Sequence, residues 1–228
     1  MKLRNAFLGS LAPLEFALLD PHLVRAPLEP QAVIVEKGQL VARLYFPTTS
    51  VFSLTMTQHN QATEVATVGY EGVVGLLNAI AGQPAAARTT VLFGGEAWAI
   101  DAATFREQLA SYPSLQDAVF RHLQAREAAR LREQLCASEG VEAKLSGLLL
   151  LAAERIGALT IPVTQSQLAD SLKVQRSTVT VIAQSLKHRG FFDYRRGILR
   201  IQDIEALRQL AGPCYSGPLT GFAFGRAA

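Results

Sequence analysis

The chain has 228 residues, 49% of them apolar, and a formal net charge of +3 at pH 7. This length and composition allow two modest domains with buried cores. No apolar run is long enough to span a membrane, and Met1 to Pro13 lacks the apolar core and cleavage site of a signal peptide, so we expect no membrane partner.

Only two cysteines occur, Cys136 and Cys214, and neither has a second cysteine at CxxC spacing. We therefore expect neither a disulfide framework nor a zinc site of the cysteine type, and we expect a reducing cytoplasmic location. Cys136 near the end of a helix admits a redox switch, but a lone helical cysteine is more often a small buried residue.

The charge is unevenly distributed along the chain. Residues 1–140 carry 11 basic against 13 acidic side chains, whereas residues 141–228 carry 11 against 6. The window 173–200 holds seven basic residues and one acidic residue, Asp193, for a net charge of +6. Such an excess is typical of a phosphate-binding surface, but a solvated basic face is also common, and charge alone does not decide between them.

The first hundred residues predict an all-β barrel or roll. Segments rich in Val, Ile, Thr and Phe alternate there with Pro, Gly, Asn and Gln. This pattern predicts strands over Gln31–Glu36, Val41–Phe46, Val51–Thr57, Glu64–Val68, Arg88–Phe93 and Glu96–Ile100.

A helical pattern follows Ile100. Asp101 is placed to cap a helix through Leu109, and Pro113 opens a longer helix that reaches about Ala137. The apolar residues of the longer helix step by four, with Glu127 breaking the row. The pattern alone therefore leaves two interpretations equally open, a coiled-coil seam and a helix packed on its own domain.

Gly140 interrupts the helices and is the predicted domain boundary. Beyond it the pattern predicts a helix, a strand over Leu159–Val163, two short helices, a hairpin and a final helix capped by Asp203. The hairpin strands are Phe191–Tyr194 and Ile198–Ile201, with the turn at Arg195-Arg196-Gly197. The tail from Gly212 is rich in Gly, Pro and Ala, and we expect it to be poorly ordered.

Two short amphipathic helices joined by a tight turn stand at the centre of the basic region. Thr164 and Gln167 form a capping box at the start of the first helix, and the turn lies at Lys173-Val174. The second helix starts near Arg176 with polar side chains on its exposed face, as a recognition helix requires. An ordinary helical hairpin is the alternative, and the basic hairpin downstream favours DNA binding.

The stretch VTQSQLADSLKVQRSTVTVIAQSLKHRGFFDYRRGILRI, residues 163–201, resembles the winged helix-turn-helix of the CRP/FNR family. The segments YFPTTSVFSL (residues 45–54) and GYEGVVGL (residues 69–76) resemble that family's β-roll sensor domain. The resemblance spans about residues 15–210. It implies an α+β fold, with an N-terminal β-roll of the cyclic-nucleotide-binding kind, a long dimerisation helix and a C-terminal winged helix-turn-helix.

The same resemblance implies a homodimer whose two recognition helices address a palindromic site. It divides the chain into a sensor domain over 1–112, a dimerisation helix over 113–140, a DNA-binding domain over 141–211 and a flexible tail over 212–228. The partners that it implies are double-stranded DNA, a second copy of the chain and, as a further candidate, RNA polymerase.

The recognition helix departs from the family pattern. Family members place Glu directly after the Arg that matches Arg176, and a second Arg four residues beyond that Glu. This chain has Ser177 and Val181 at these two places, so the usual half-site does not transfer. Lys173 stands where the turn usually holds Gly, which predicts a strained left-handed residue or a different turn.

The sensor segment departs from the family pattern more than the recognition helix does. The resemblance makes Gly72, Val73, Arg88 and Thr89 candidate effector-binding residues, but Val73 replaces the Glu that accepts a ribose hydroxyl. A ribose hydroxyl buried without its partner costs about 1–3 kcal/mol. In the family's cyclic-nucleotide-binding members, two residues with hydroxyl side chains contact adenine. This chain has Ala129 and Arg130 at the aligned positions. The sequence therefore disfavours cyclic AMP, and Arg88 is as readily a surface residue as a ligand contact.

Other chemistries find no support in the sequence. No cysteine precedes Cys136, which argues against an iron–sulfur cluster, and His22, His59, His122 and His188 are scattered, so we expect no metal site and no cofactor. No hydrolase elbow, zinc-protease motif or Walker loop occurs. Gly69, Gly72 and Gly75 lack dinucleotide-fingerprint spacing and more readily serve turns of the roll. We expect no catalytic residues and no enzyme.

The sequence thus predicts a sequence-specific DNA-binding transcriptional regulator with an unknown effector. The alternative is a small-molecule-binding module whose winged helix docks a protein instead of DNA. The predicted DNA-binding residues are Gln165, Gln175, Arg176, Ser177, Thr178, Thr180, Lys187, Arg189, Arg195 and Arg196. Among them Arg176 is expected to read bases, whereas the residues at the helix end and wing are expected to contact phosphates.

Overall fold

The computed structural model describes residues 4–58, 61–136 and 139–215. The chain divides into two compact units, Met1–Glu127 and Ala128–Ala228. Helices and strands occur in both units, in agreement with the predicted α+β class. Within the described residues, no helix is both long enough and apolar enough to cross a membrane.

The first unit contains two antiparallel sheets. One has the strand order β1-β7-β3 and the other has the order β2-β6-β4-β5. Side chains alternate between core and surface along these strands, so that Thr89, Val91 and Phe93 are the buried residues of β6. The strands are β1 (Val24–Leu28), β2 (Val33–Val35), β3 (Arg43–Pro47), β4 (Val51–Gln58), β5 (Gln61–Val68), β6 (Arg88–Phe93) and β7 (Gly95–Asp101).

The six predicted strands of this unit are confirmed with shifted bounds, but the prediction missed β1. Pro27 interrupts its apolar pattern, and proline is tolerated there because β1 is an edge strand that pairs only with β7. The segment predicted as Gln31–Glu36 is a strand only over Val33–Val35, with a register irregularity against β6.

Three short helices of the first unit were also missed: α1 (Ala6–Ser10), α2 (Pro13–Leu19) and α3 (Leu76–Ala81). Asn5 caps α1, because its side-chain oxygen accepts hydrogen bonds from the backbone amides of Phe7 and Leu8. Helices this short carry little periodicity, so their sequence signal is weak.

Two longer helices follow the sheets, α4 (Ala102–Ser111) and α5 (Pro113–Leu135). Asp101 stands at the cap position of α4 as predicted, but its carboxylate makes no capping hydrogen bond. It instead accepts a hydrogen bond from Nε of Arg43 at 3.0 Å. Leu115 and Val119 of α5 pack in the core of the first unit together with Phe7 and Phe105.

The second unit contains a small antiparallel sheet in the order β8-β10-β9, packed with helices. Its buried core includes Leu145, Leu149, Ile161, Leu186 and Leu207. The elements are α6 (Val141–Ile156), β8 (Thr160–Pro162), α7 (Gln165–Leu172), α8 (Arg176–His188), β9 (Phe192–Arg195), β10 (Ile198–Ile201) and α9 (Ile204–Ala211).

The expectation about the cysteines was wrong. Cys136 and Cys214 form a disulfide across a sequence separation of 78 residues. The expectation of a poorly ordered tail was also wrong for its first residues, since Gly212–Cys214 form a 3-10 turn after α9. The rest of the predicted tail, residues 216–228, lies outside the described residues.

Candidate nucleic-acid interface and sensor cavity

The turn between α7 and α8 has the predicted geometry. The Thr164 hydroxyl accepts a hydrogen bond from the Gln167 amide, and the Gln167 side chain accepts one from the Thr164 amide, so the capping box is confirmed. Lys173 ends α7 in the left-handed region, with φ +56°. A residue other than glycine costs about 1 kcal/mol in that conformation, so this turn is mildly strained.

Helix α8 presents a polar start to solvent. Val179, Ala183 and Leu186 are buried at helical spacing, which fixes the opposite face as the exposed one. The exposed residues include Gln175, Arg176 and Ser177 at the first turn, whereas Thr178 is partly buried. Val181 is 66% exposed on the same helix. The first turn of α8 thus has the accessibility that a base-reading element needs.

Two of the predicted DNA contacts bind each other. The Thr180 hydroxyl donates to Oε1 of Gln165 at 2.9 Å, which joins α8 to the first turn of α7. The same hydroxyl lies 3.0 Å from the Arg176 carbonyl oxygen, four residues earlier. Both side chains are partly buried. Gln165 and Thr180 therefore have a structural role in holding the two helices together.

The hairpin of β9 and β10 turns at the predicted residues. Arg195 pairs with Ile198, so the loop consists of Arg196 and Gly197 alone. Their φ angles are +49° and +79°, as a two-residue turn of type I′ requires. Arg196 is exposed at the tip of this wing. An arginine therefore occupies a position where Asn or Gly is the unstrained choice.

Internal ion pairs reduce the free charge of this basic region. Asp193 binds Lys187 (Nζ–Oδ1 2.6 Å) and Arg195 (Nε–Oδ2 3.1 Å). The hydrogen bond from Lys187 is the main reason why the pKa of Asp193 is lowered. Its carboxylate therefore stays ionised at neutral pH, and it links the end of α8 to the wing.

Arg189 is held in a similar way. Its guanidinium pairs with Glu142 of α6 at 3.3 Å and lies 4.5 Å above the centre of the Phe191 ring. Within the described part of the chain, Arg176 and Arg196 form no ion pair under 4.0 Å, and both are exposed. Arg200 of β10 is likewise exposed and without an ion pair among the described residues, so these three guanidinium groups are the ones most available to a nucleic acid.

Arg196 permits a clean test of a phosphate contact. We expect Arg196→Asn to weaken binding to all DNA sequences alike and to lower the slope of log K against log salt by about one unit. Because asparagine tolerates positive φ, the variant should be at least as stable as the parent. Filter binding at several salt concentrations measures the slope. Arg196→Lys, which keeps the charge and the strain, is the matched control and should retain the slope.

The first unit contains a cavity of about 320 Å³ between β3, β6 and α3. Val73 and Thr89 line it, and Gly75 closes one side with φ +84°. A side chain at Gly75 would meet Cγ1 of Val41 at 2.7 Å, which explains the glycine there. The structure therefore brings two of the four candidate effector residues to one cavity.

The other two candidates, Gly72 and Arg88, are absent from the cavity lining within the described residues. Arg88 instead pairs with Glu36 at 3.2 Å, and both side chains are about half exposed. Arg43 is the one charged residue in the described lining, and it already pairs with Asp101. The cavity wall is therefore mainly apolar and offers no unpaired cation to a phosphate.

The described residues contain no group of three or more His, Cys, Asp or Glu placed to hold a metal ion. His59 lies outside the described residues. His122 of α5 meets the ring of Phe7 edge-on, with ring centres 5.3 Å apart. Burial, reinforced by the charge of Arg126, lowers the pKa of His122 to about 4.

Comparison with protein-family models matches residues 143–210 to the Crp-like helix-turn-helix domain. Residues 143–210 are thus similar to the Crp-like helix-turn-helix domain, and the fold of the chain is similar to that of solved CRP/FNR-family structures. Comparison with curated protein sequences gives no match.

Three solved structures show the breadth of this fold. A putative cAMP-binding regulatory protein from Silicibacter pomeroyi is 16% identical, with TM-score 0.70 over 92% of this chain and 99% of its own. FixK2 from Bradyrhizobium japonicum is 11% identical, with TM-score 0.68 over 83% and 98%. A putative CRP/FNR-family regulator from Eubacterium rectale is 12% identical, with TM-score 0.66 over 91% and 98%.

Sequence reasoning missed the contacts that join distant residues. Asp193 was counted only as one negative charge, yet it organises Lys187 and Arg195. Glu142 holds Arg189 from 47 residues away. The alternation of charge in Asp193-Tyr194-Arg195 was a signal for the first of these contacts, whereas no local signal pointed to the second.

Proposed function

We propose that this chain is a sequence-specific transcriptional regulator that binds duplex DNA as a homodimer, with α8 in the major groove and the β9–β10 wing on the backbone. The observation that carries the proposal is the position of two exposed guanidinium groups that make no ion pair within the described residues, Arg176 at the start of α8 and Arg196 at the wing tip. The first position suits base edges and the second suits phosphates.

Helix α5 supports the homodimer. Phe120 is 66% exposed and Leu131 is 52% exposed, and their separation of eleven residues, about three turns, places them on one face of the helix. Large apolar side chains that are exposed on a helix surface are typical of an interface. A second copy of α5 is the partner that a two-fold regulator would place there.

Selection from a random DNA pool, combined with sedimentation, tests the proposal. We expect a palindrome whose half-sites are about one helical turn, roughly 34 Å, apart, because both recognition helices must meet the same face of the duplex. The complex should sediment as two chains on one site. A monomer at micromolar concentration, with and without the selected DNA, would contradict the homodimer.

The effector of this regulator is not cyclic AMP. Val73 at the cavity wall has no acceptor for a ribose hydroxyl, and Arg88 is engaged by Glu36 outside it. We expect titration calorimetry with cyclic AMP to show no binding at micromolar concentrations and no change in DNA affinity. Micromolar affinity for cyclic AMP would show that the roll binds nucleotides through other residues.

The location that we propose is the cytoplasm, where a regulator meets DNA, and RNA polymerase is a candidate second partner. The competing function is a module whose winged helix docks a protein. Val181 and Ile198, 66% and 50% exposed, are the observation in its favour. Weak DNA binding that hardly changes with salt would support the competing function, because phosphate contacts release counterions.

A further inference from the structure

The two cysteines of the chain join the end of α5 to the 3-10 turn that follows α9. We propose that Cys136–Cys214 is a redox modification site, reduced by a dithiol, whose state sets the DNA affinity of the second unit. This inference rests on the proposed DNA binding and on the proposed cytoplasmic location. Disulfides in that compartment are rare unless they are transient, catalytic or redox-sensing.

The bond is accessible to a reductant. Cys136 and Cys214 are both partly exposed. The chain has no other cysteine, so the oxidised pair has no competing intramolecular partner. Disulfides that are exposed are the ones that exchange most readily with thiols in solution, whereas buried structural bonds resist reduction.

The disulfide closes a loop of chain that contains α6, α7, α8, the wing and α9. Besides this bond, contacts with α6 hold the 3-10 turn. The Tyr215 hydroxyl donates to Oε2 of Glu154 at 3.0 Å. The backbone of Cys214 passes so close to Gly147 that a side chain there would lie 2.6 Å from the Cys214 carbonyl oxygen. The 3-10 turn is therefore held by its close packing on Gly147, by the hydrogen bond of Tyr215 and by the reducible disulfide.

Reduction proceeds by two thiol–disulfide exchanges. A thiolate of the dithiol attacks one cysteine sulfur, the Cys136–Cys214 bond breaks, and the second cysteine leaves as a thiolate that takes up a proton. The other thiol of the reagent then attacks the mixed disulfide and releases the first cysteine. Two electrons pass from the dithiol, which becomes a disulfide, to the protein, which gains two thiols.

We expect the oxidised form to bind DNA about fivefold or more tightly, within the usual range of coupling between two sites. The closed loop restrains the DNA-binding elements, so they lose less conformational freedom on binding than the open form does. Reduction should also loosen the 3-10 turn, because its covalent link to the end of α5 is then lost while the hydrogen bond of Tyr215 and the contact at Gly147 remain.

The test compares full-length protein before and after treatment with dithiothreitol. Thiol alkylation and intact mass give the redox state, a binding titration with the selected DNA gives affinity, and chymotrypsin followed by mass spectrometry gives the rate of cleavage after Tyr215. Cys136→Ser/Cys214→Ser should behave like the reduced protein and ignore dithiothreitol. Gly147→Ala should shift the equilibrium of a dithiothreitol redox titration toward the reduced protein, because the added methyl group pushes Cys214 away from α6.

Four outcomes decide the inference. Faster cleavage and weaker DNA binding on reduction support it. Alkylation of both cysteines even after treatment with oxidised dithiothreitol overturns it, and so does equal DNA affinity of the two redox forms. If neither form binds the selected DNA, the proposed function fails by itself, and unchanged cleavage after Tyr215 then overturns the redox site as well.

Discussion

Replacement of Arg176 by alanine should weaken binding to the selected DNA site by about 1–3 kcal/mol per half-site, or roughly fivefold to 150-fold. The guanidinium lies exposed at the first turn of α8, where side chains project furthest into a major groove. It can donate two parallel hydrogen bonds to O6 and N7 of guanine. Ser177 is too short for a comparable contact, and the Thr180 hydroxyl is engaged by Gln165.

The loss should be specific to sequence. With Arg176→Ala, preference at one G·C pair in each half-site should relax, while binding to random DNA stays nearly intact, because phosphate contacts elsewhere are unchanged. Arg176→Lys is the matched control: it keeps the charge but lacks the planar fork that fixes two parallel hydrogen bonds, so it should lose part of the discrimination. Equal losses on random and selected DNA would make Arg176 a phosphate contact.

Local signals made the DNA-binding segment predictable. The capping box of Thr164 and Gln167, the left-handed Lys173 and the two-residue turn at Arg196-Gly197 each depend on residues within four positions of one another. Helix caps and tight turns can be predicted from sequence because the few neighbouring residues that form them also determine their conformation. The buried stripe of α8 is readable for the same reason, through its helical spacing.

The remaining features depend on topology. Cys136 and Cys214 are 78 residues apart, and only the packing of α6 with α9 and the following turn brings them together. The cysteine count and spacing favoured two separate thiols, because they do not show which residues are close in space. The strand β1 was missed because its pairing with β7 stabilises a sequence that contains Pro27. For the same reason the ion pair of Arg88 could not be predicted, since its partner Glu36 lies on a different segment of the first unit.

The first unit should lose stability as the pH falls, through His122. Its pKa is lowered from an ordinary value of 6.5 to about 4, first by burial and second by the charge of Arg126, with Glu71 acting in the opposite direction. Between these two values the unfolded chain binds a proton that the folded chain does not. The free energy of unfolding therefore falls as the pH drops from 6.5 to 4, and His122 has no such effect above pH 6.5.

The size of this effect is about 3 kcal/mol over the full window, since one unit of pKa corresponds to about 1.4 kcal/mol. Urea unfolding followed by the fluorescence of Trp98, the one tryptophan of the chain, reports on the first unit. We expect His122→Gln to be less sensitive to acid than the parent by about that amount. Carboxylates that titrate in the same range affect both proteins equally, so the difference between them isolates the histidine.

Arg126→Gln provides a graded control in the same experiment. Removing this cation takes away the second cause of the lowered pKa and leaves the Glu71 carboxylate without the guanidinium that now lies 3.8 Å from it. Both changes raise the pKa of His122, so the pH dependence of Arg126→Gln should fall between those of the parent and His122→Gln. If the parent and His122→Gln lose stability in parallel down to about pH 4.5, the imidazole accepts its proton as readily in the folded unit as in the unfolded chain.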